Sequence, residues 1–165
     1  MVKKYDRKLV LENGTEYFGY GFGVINNKVT ELVFDTSMIG YEEVVSDPAY
    51  LGQTVVMTYP LIGNYGIAAD DFETQTPTIG GLIVRDYNDI PSNFRSIKTL
   101  SQVMKEYSIP GVYGVDTRKF VRSIRDLGSR LVLITNVDTP IEKGLEMIKN
   151  YTPARDAVSK VSRKQ

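Results

Sequence analysis

Four sets of residues have the types and spacing to do chemistry. Arg118, Arg122 and Arg125 recur at intervals of four and three, so a helix over this stretch carries three guanidinium groups along one stripe. Guanidinium forks pair with carboxylates and phosphates, so the stripe suits an anionic protein or ligand contact before nucleic acid. The leading reading is nonetheless an ordinary solvated face, with Asp126 beside it, and the anionic contact is its rival. Gly19-Tyr20-Gly21-Phe22-Gly23 has the glycine density of a phosphate loop. It lacks the Gly-x-Gly-x-x-Gly spacing, no helical pattern follows it and no Gly-Lys-Ser/Thr is present, so glycines easing a bent strand account for it better. Glu42-Glu43 and Asp70-Asp71 are carboxylate pairs of the kind used by metals and by acid–base catalysts. Adjacent side chains diverge on a helix or a strand, so solvated surface is their expected state.

Two residue types are missing altogether, and they narrow the chemistry further. The chain has no cysteine and no histidine, which removes Ser-His-Asp and Cys-His triads, thiolate zinc sites and imidazole-ligated metals. Carboxylate, lysine, tyrosine or Ser/Thr-Lys chemistry remains open to a self-sufficient small enzyme. The leading expectation is a chain with no catalytic residues and no metal ligands. Its 20 basic and 20 acidic residues cancel, so no overall field draws in nucleic acid or an acidic membrane. No run approaches the roughly 20 apolar residues that span a bilayer, and the start from Met1 to Lys8 has no secretory apolar stretch. A cytoplasmic location is expected. With 42% hydrophobic residues in 165, the chain is long enough for one domain with its own core.

The elements that must position these groups begin as strands. Lys8 to Glu12 is short and apolar, Asn13-Gly14 is a strong hairpin signal, and Thr15 to Phe22 continues as strand. Val29 to Phe34 is a third β-rich run, expected to pair antiparallel with its neighbours. Tyr41 to Val45 reads as one helical turn stopping before Asp47-Pro48, and Gln53 to Tyr59 and Gly80 to Arg85 read as strands. Between those strands, a loop from Leu61 to Pro77 carries Gly63-Asn64-Tyr65-Gly66, and its length suggests interface or ligand duties.

The second half turns helical. Thr99 to Gln102 fits a capping box, with Leu100, Val103, Met104 and Tyr107 on one face, until Ile109-Pro110-Gly111 stops the helix. Asp116-Thr117 caps the next helix, whose buried stripe is Phe120, Val121, Ile124 and Leu127, with Gly128 as a left-handed terminator. Arg130 to Thr135 reads as a buried strand. Thr139-Pro140-Ile141-Glu142 opens a last helix, with a second capping box and proline in its first position. Strands first, then strands interleaved with helices, predict an α/β domain in which an antiparallel sheet stacks on a second sheet covered by helices. The domain is expected over residues 1–151, with 152–165 a linker.

Three longer blocks are specific. Phe34-Asp35-Thr36-Ser37-Met38-Ile39-Gly40-Tyr41-Glu42-Glu43, Ser46-Asp47-Pro48-Ala49-Tyr50 and Thr58-Tyr59-Pro60-Leu61-Ile62-Gly63-Asn64-Tyr65-Gly66 closely resemble the start of the carbamoyl-phosphate synthetase small subunit. Gly81 to Arg85, Pro91 to Arg95 and Gly114 to Lys119 are similar to its later blocks, in order, and the resemblance covers about Leu9 to Thr135.

The resemblance implies a swivelling three-layer β/β/α amino-terminal domain of a two-domain subunit, with the second, a glutamine amidotransferase using a Cys-His-Glu triad, lying beyond residues 152–165. In the complete enzyme, ammonia from glutamine passes to a large subunit, which makes carbamoyl phosphate with ATP and a divalent metal, for pyrimidine and arginine synthesis. The domain present here would supply no cofactor and no catalysis. It would dock on the large subunit and on its own amidotransferase domain, and Leu61, Ile62, Gly63, Asn64, Tyr65 and Gly66 together with Arg118, Arg122 and Arg125 are the expected partner surface. Two departures stand out. Asp35 replaces the usual Asn, and Ala49 stands where the family's serine helps hold glutamine, so only the Ala49 backbone is left for that contact.

Overall fold

The computed structural model describes residues 1–37, 40–59, 61–63, 67, 76–90, 97–128 and 130–153. In chain order its strands are β1 (Arg7–Leu11), β2 (Glu16–Gly23), β3 (Lys28–Asp35), β4 (Thr54–Met57), β5 (Leu61–Ile62), β6 (Gly81–Ile83), β7 (Asp86–Tyr87), β8 (Pro110–Tyr113) and β9 (Arg130–Asn136). Its α-helices are α1 (Tyr41–Ser46), α2 (Leu100–Glu106), α3 (Thr117–Leu127) and α4 (Ile141–Lys149), and Pro48–Tyr50 forms a 3-10 turn.

Seven strands close into a barrel in the order β1-β2-β8-β6-β4-β3-β9, and β5 and β7 form a separate parallel pair. One arc is antiparallel. β1 pairs with both β2 and β9, β2 with β8, and β3 with β9. The remaining pairs, β3 with β4, β4 with β6 and β6 with β8, are parallel. Parallel neighbours need long crossovers, which is where α1, α2 and the β5–β7 pair are inserted.

Alternation along each strand sorts the core into an inside and two outer faces. Leu9, Leu11, Leu32, Val56, Ile83, Val112, Val132 and Ile134 meet in one cluster, and α3 packs Phe120, Val121 and Ile124 into it. Tyr17 meets Phe120 edge-on at 4.7 Å. Intervening residues point outward. Val55, Met57 and Leu82 lie under Tyr41, Val44 and Val45 of α1 and under Leu100, Val103 and Met104 of α2. Val10 and Leu133 lie under Ile148 of α4.

Arg7 shares its strand face with Leu9 and Leu11, and it is 2% exposed. Its guanidinium donates to Asn136 Oδ1 at 2.5 Å and to the Asn26 carbonyl, and burial lowers its pKa. The glycine run of β2 makes room for this arrangement. A Cβ on Gly21 would lie 2.8 Å from Arg7 Cγ, and one on Gly19 would lie 2.5 Å from the Tyr113 carbonyl oxygen. Those glycines are strand residues facing crowded neighbours.

The α/β class expected from the sequence is present, and so are the opening hairpin and the capping box, in which Thr99 accepts from the Gln102 amide. The strands differ in arrangement, because they join edge to edge as a barrel with a mixed ladder. β3 pairs with β9 and β4, leaving β2 to β8. Proline and glycine at Pro110-Gly111 disguised β8, since the proline sits at its first position, where a missing amide is tolerated. Pro140 is the N-cap of α4 with no side-chain cap bond, and the Thr139 hydroxyl meets Thr135 Oγ1 at 2.8 Å. Gly128 has φ +83 but an extended ψ of −177, so it ends α3 without a left-handed turn. Tyr107 and Leu127, expected in buried stripes, are 45% and 43% exposed because each lies at the end of its helix, past the last buried turn. No helix among the described residues is long and apolar enough to cross a membrane.

Candidate functional site

A hydrogen-bonded surface cluster forms where the end of β3 meets the 3-10 turn. Asp47 caps that turn, accepting from the Ala49 amide at 2.8 Å, and proline in the turn's first position presets its backbone angle. Thr78 ties the turn down, its hydroxyl donating to the Asp47 carbonyl at 2.6 Å, while the Gly52 amide donates to the Thr78 carbonyl at 2.9 Å. Tyr50 then reaches across to β3, where its hydroxyl donates to Asp35 Oδ2 at 2.8 Å. The Ser37 amide donates to Asp35 Oδ1 at 2.7 Å, so both carboxylate oxygens are held.

The electrostatics follow from this geometry. Burial alone would raise the Asp35 pKa, but the donors Ser37 and Tyr50 outweigh it and hold the carboxyl below its ordinary value. Burial and the Asp35 carboxylate push the Tyr50 hydroxyl up to about 12. Tyr50 therefore stays a neutral donor and Asp35 a charged acceptor over the whole physiological range.

Beside this pair a groove of about 450 Å3 is lined by Leu32, Val33, Phe34, Tyr50, Ile124 and Arg125, with Gly128 at its end. It joins two regions that the sequence presents separately, the Ala49–Tyr50 turn and the arginine-bearing helix. Ala49 is exposed, and its amide is already engaged by Asp47, which leaves its carbonyl as the backbone group to offer a ligand. Arg118, Arg122 and Arg125 all lie exposed on α3, whose opposite face enters the core.

Of the expected loop surface, Leu61 is 39% exposed whereas Ile62, 2% exposed, packs inside the chain's own core. Gly63 has φ +89, and a Cβ there would lie 2.6 Å from the Asn88 carbonyl oxygen. Asn64, Tyr65 and Gly66 fall outside the described residues, as do Asp70 and Asp71. Glu42 and Glu43 diverge as expected, but Glu42 is buried at 2%, because its position on α1 turns it inward. Among the described residues no group of three or more carboxylates is arranged to hold a metal ion. The Asp35–Tyr50 contact was not readable from the sequence, since the two residues are 15 apart and meet only through the β3–β4 crossover.

This α/β barrel domain, with a built polar turn and no thiol or imidazole, has clear relatives. The family profile described as "Carbamoyl-phosphate synthase small chain, CPSase domain" matches residues 9–134. The chain belongs to that family. It is 46% identical over 160 residues to the carbamoyl phosphate synthase small chain of Fusobacterium nucleatum, covering 97% of this chain and 45% of the relative. It is 47% identical over 158 residues to the carbamoyl phosphate synthase pyrimidine-specific small chain of Bacillus subtilis, covering 96% of this chain and 43% of the relative. A Staphylococcus haemolyticus small chain is 48% identical over 158 residues, with 96% and 43% covered. The chain thus spans less than half the length of these curated relatives.

Proposed function

We propose that this chain is the non-catalytic assembly domain of a glutamine-hydrolysing carbamoyl-phosphate synthase, docking an amidotransferase domain to the synthetase large chain. In that assembly, ammonia released from glutamine is used to make carbamoyl phosphate for pyrimidine and arginine biosynthesis. ATP and its divalent metal belong to the large chain, and the location is cytoplasmic. The observation that carries the reading is family membership in a chain with no cysteine and no histidine, which lacks the nucleophile and base that glutamine hydrolysis requires.

The Ala49 turn and the groove beside Tyr50 are the surface we assign to the amidotransferase domain and its glutamine. Asp47 and Thr78 hold the turn rigidly, which favours a positioning role. Leu61, Gly63, Asn64, Tyr65 and Gly66, with Arg118 and Arg122 of the stripe, are assigned to the large chain, while Arg125 lines the groove and Ile62 packs inside the core. The finer three-layer reading of the fold is part of the same proposal. The antiparallel β1–β2–β9 arc and the parallel β4–β6–β8 arc would serve as two β layers, with helices as the third. We place the domain boundary after residue 151.

Glutamine hydrolysis by the purified chain is the test. No glutamate or ammonia release above the buffer blank is expected. Sustained release that copurifies with the chain, in a preparation free of other amidotransferases, would overturn the reading in favour of a self-sufficient enzyme.

A further inference from the structure

A second cleft, of about 330 Å3, opens on the outer face of β2 and β8, where Phe22, Tyr87, Tyr113, Asp89, Ser101 and Lys105 line it. Its wall is aromatic. The Phe22 and Tyr87 rings stack at 4.2 Å with a 17° interplanar angle, and Tyr113 lies 6.1 Å and 5.9 Å from them. The polar groups are fixed by a relay of hydrogen bonds. The Tyr87 hydroxyl donates to Asp89 Oδ1 at 2.5 Å and accepts from the Ser101 amide at 3.0 Å, and Ser101 Oγ accepts from the Gly23 amide at 3.0 Å. Asp89 is thus anchored through Oδ1, and no hydrogen bond or ion pair engages its other oxygen among the described residues. Lys105 is exposed and has no ion-pair partner among the described residues.

One anchored carboxylate, one ammonium with no ion-pair partner among the described residues, and an aromatic wall in which Phe22 is buried and Tyr87 and Tyr113 are part-exposed make a recognition set for a zwitterion. The same aromatic face already holds an ammonium of its own. Lys3 Nζ sits 4.9 Å from the Tyr20 centroid and 5.2 Å from that of Tyr113, and donates to the Tyr113 hydroxyl at 2.7 Å. A cleft of 330 Å3 lies at the small end of ligand pockets, which suits a single amino acid. We infer that this cleft binds a free α-amino acid with a flat apolar side chain, its carboxylate on Lys105, its ammonium on Asp89 and its side chain against the aromatic wall. The site lies apart from the Ala49 turn and does not depend on the function proposed above.

Titration of L-phenylalanine into the chain, followed through the backbone amide resonances of Gly21, Gly23 and Ser101, tests this. A saturable shift is expected with a dissociation constant on the order of millimolar, as for a ligand of this size. N-acetyl-L-phenylalanine and L-phenylalaninamide each lack one charge, and each is expected to bind at least about fivefold more weakly. Lys105→Gln is expected to weaken L-phenylalanine and abolish its advantage over the amide, and Asp89→Asn to abolish its advantage over the N-acetyl derivative. Both positions are exposed, so the fold survives either change. No saturable shift at tens of millimolar would overturn the inference. So would equal binding of all three compounds, or tighter binding of L-glutamine than of L-phenylalanine.

Discussion

Removing the Tyr50 hydroxyl should destabilise the chain by an amount that disappears in acid. Tyr50→Phe leaves the ring in its groove and deletes only the bond to Asp35 Oδ2, 2.8 Å long. A hydrogen bond to a charged acceptor is worth about 1.5–3 kcal/mol, and because both partners are part-exposed, solvent reduces this to about 1 kcal/mol. Asp35→Asn removes the charge while keeping one acceptor for the Ser37 amide, so a double-mutant cycle with Tyr50→Phe isolates the coupling, again about 1 kcal/mol. The pH dependence has a defined sign. The folded Asp35 pKa lies below its ordinary 3.8, so its contribution is complete above that value and is lost as pH falls through the folded value. Tyr50 is raised from 10.0 to about 12, so its contribution is present below its ordinary value and is lost as pH rises through the folded one. Urea unfolding of the four proteins, followed by circular dichroism at pH 6 and again near pH 3, provides the readout. A coupling below about 0.3 kcal/mol at pH 6, the usual error of additivity, would refute the bond's role. A Tyr50→Phe cost that is the same at both pH values would refute the electrostatic account.

Gly19→Ala should cost about 2 kcal/mol or more of unfolding free energy, because the added Cβ would meet the Tyr113 carbonyl oxygen at 2.5 Å and Val112 Cγ1 at 2.7 Å; an unchanged urea midpoint would contradict the close approach of β2 to β8. Thr99→Ala should cost about 1 kcal/mol by breaking the reciprocal capping box of α2, measured in the same way. In a complete small chain, Ala49→Ser should lower the KM for glutamine by a few-fold to about tenfold, since the Ala49 amide is already engaged and a hydroxyl would be a new donor; an unchanged KM would place the position away from substrate.

Local chemistry made much of this molecule legible in advance. Hairpin residues at Asn13-Gly14, the Thr99–Gln102 box and the apolar stripe of Phe120, Val121 and Ile124 act over a few residues and occur as read, whereas Leu127, read into the same stripe, lies exposed at the helix end. Barrel closure was not legible, because the pairing of β1 with β9 joins residues some 120 positions apart and alternation says which face is buried without naming the neighbour. For the same reason nothing local in the sequence singles out Arg7, which the structure partners with Asn136 and Asn26 inside the fold. In the candidate site, Ala49 could be located from the blocks around it. Its connection to Arg125 through the Tyr50 groove needed the tertiary fold.

The central claim is that this domain is an assembly module, and its most direct test is titration of the carbamoyl-phosphate synthase large chain from the same organism into the folded chain, with Asn64→Ala and Arg122→Glu variants alongside. The parent should associate at micromolar concentration or below. Asn64→Ala should dissociate faster, and Arg122→Glu should also associate more slowly and with a weaker dependence on salt. A folded chain that shows no association at micromolar concentrations would contradict the account.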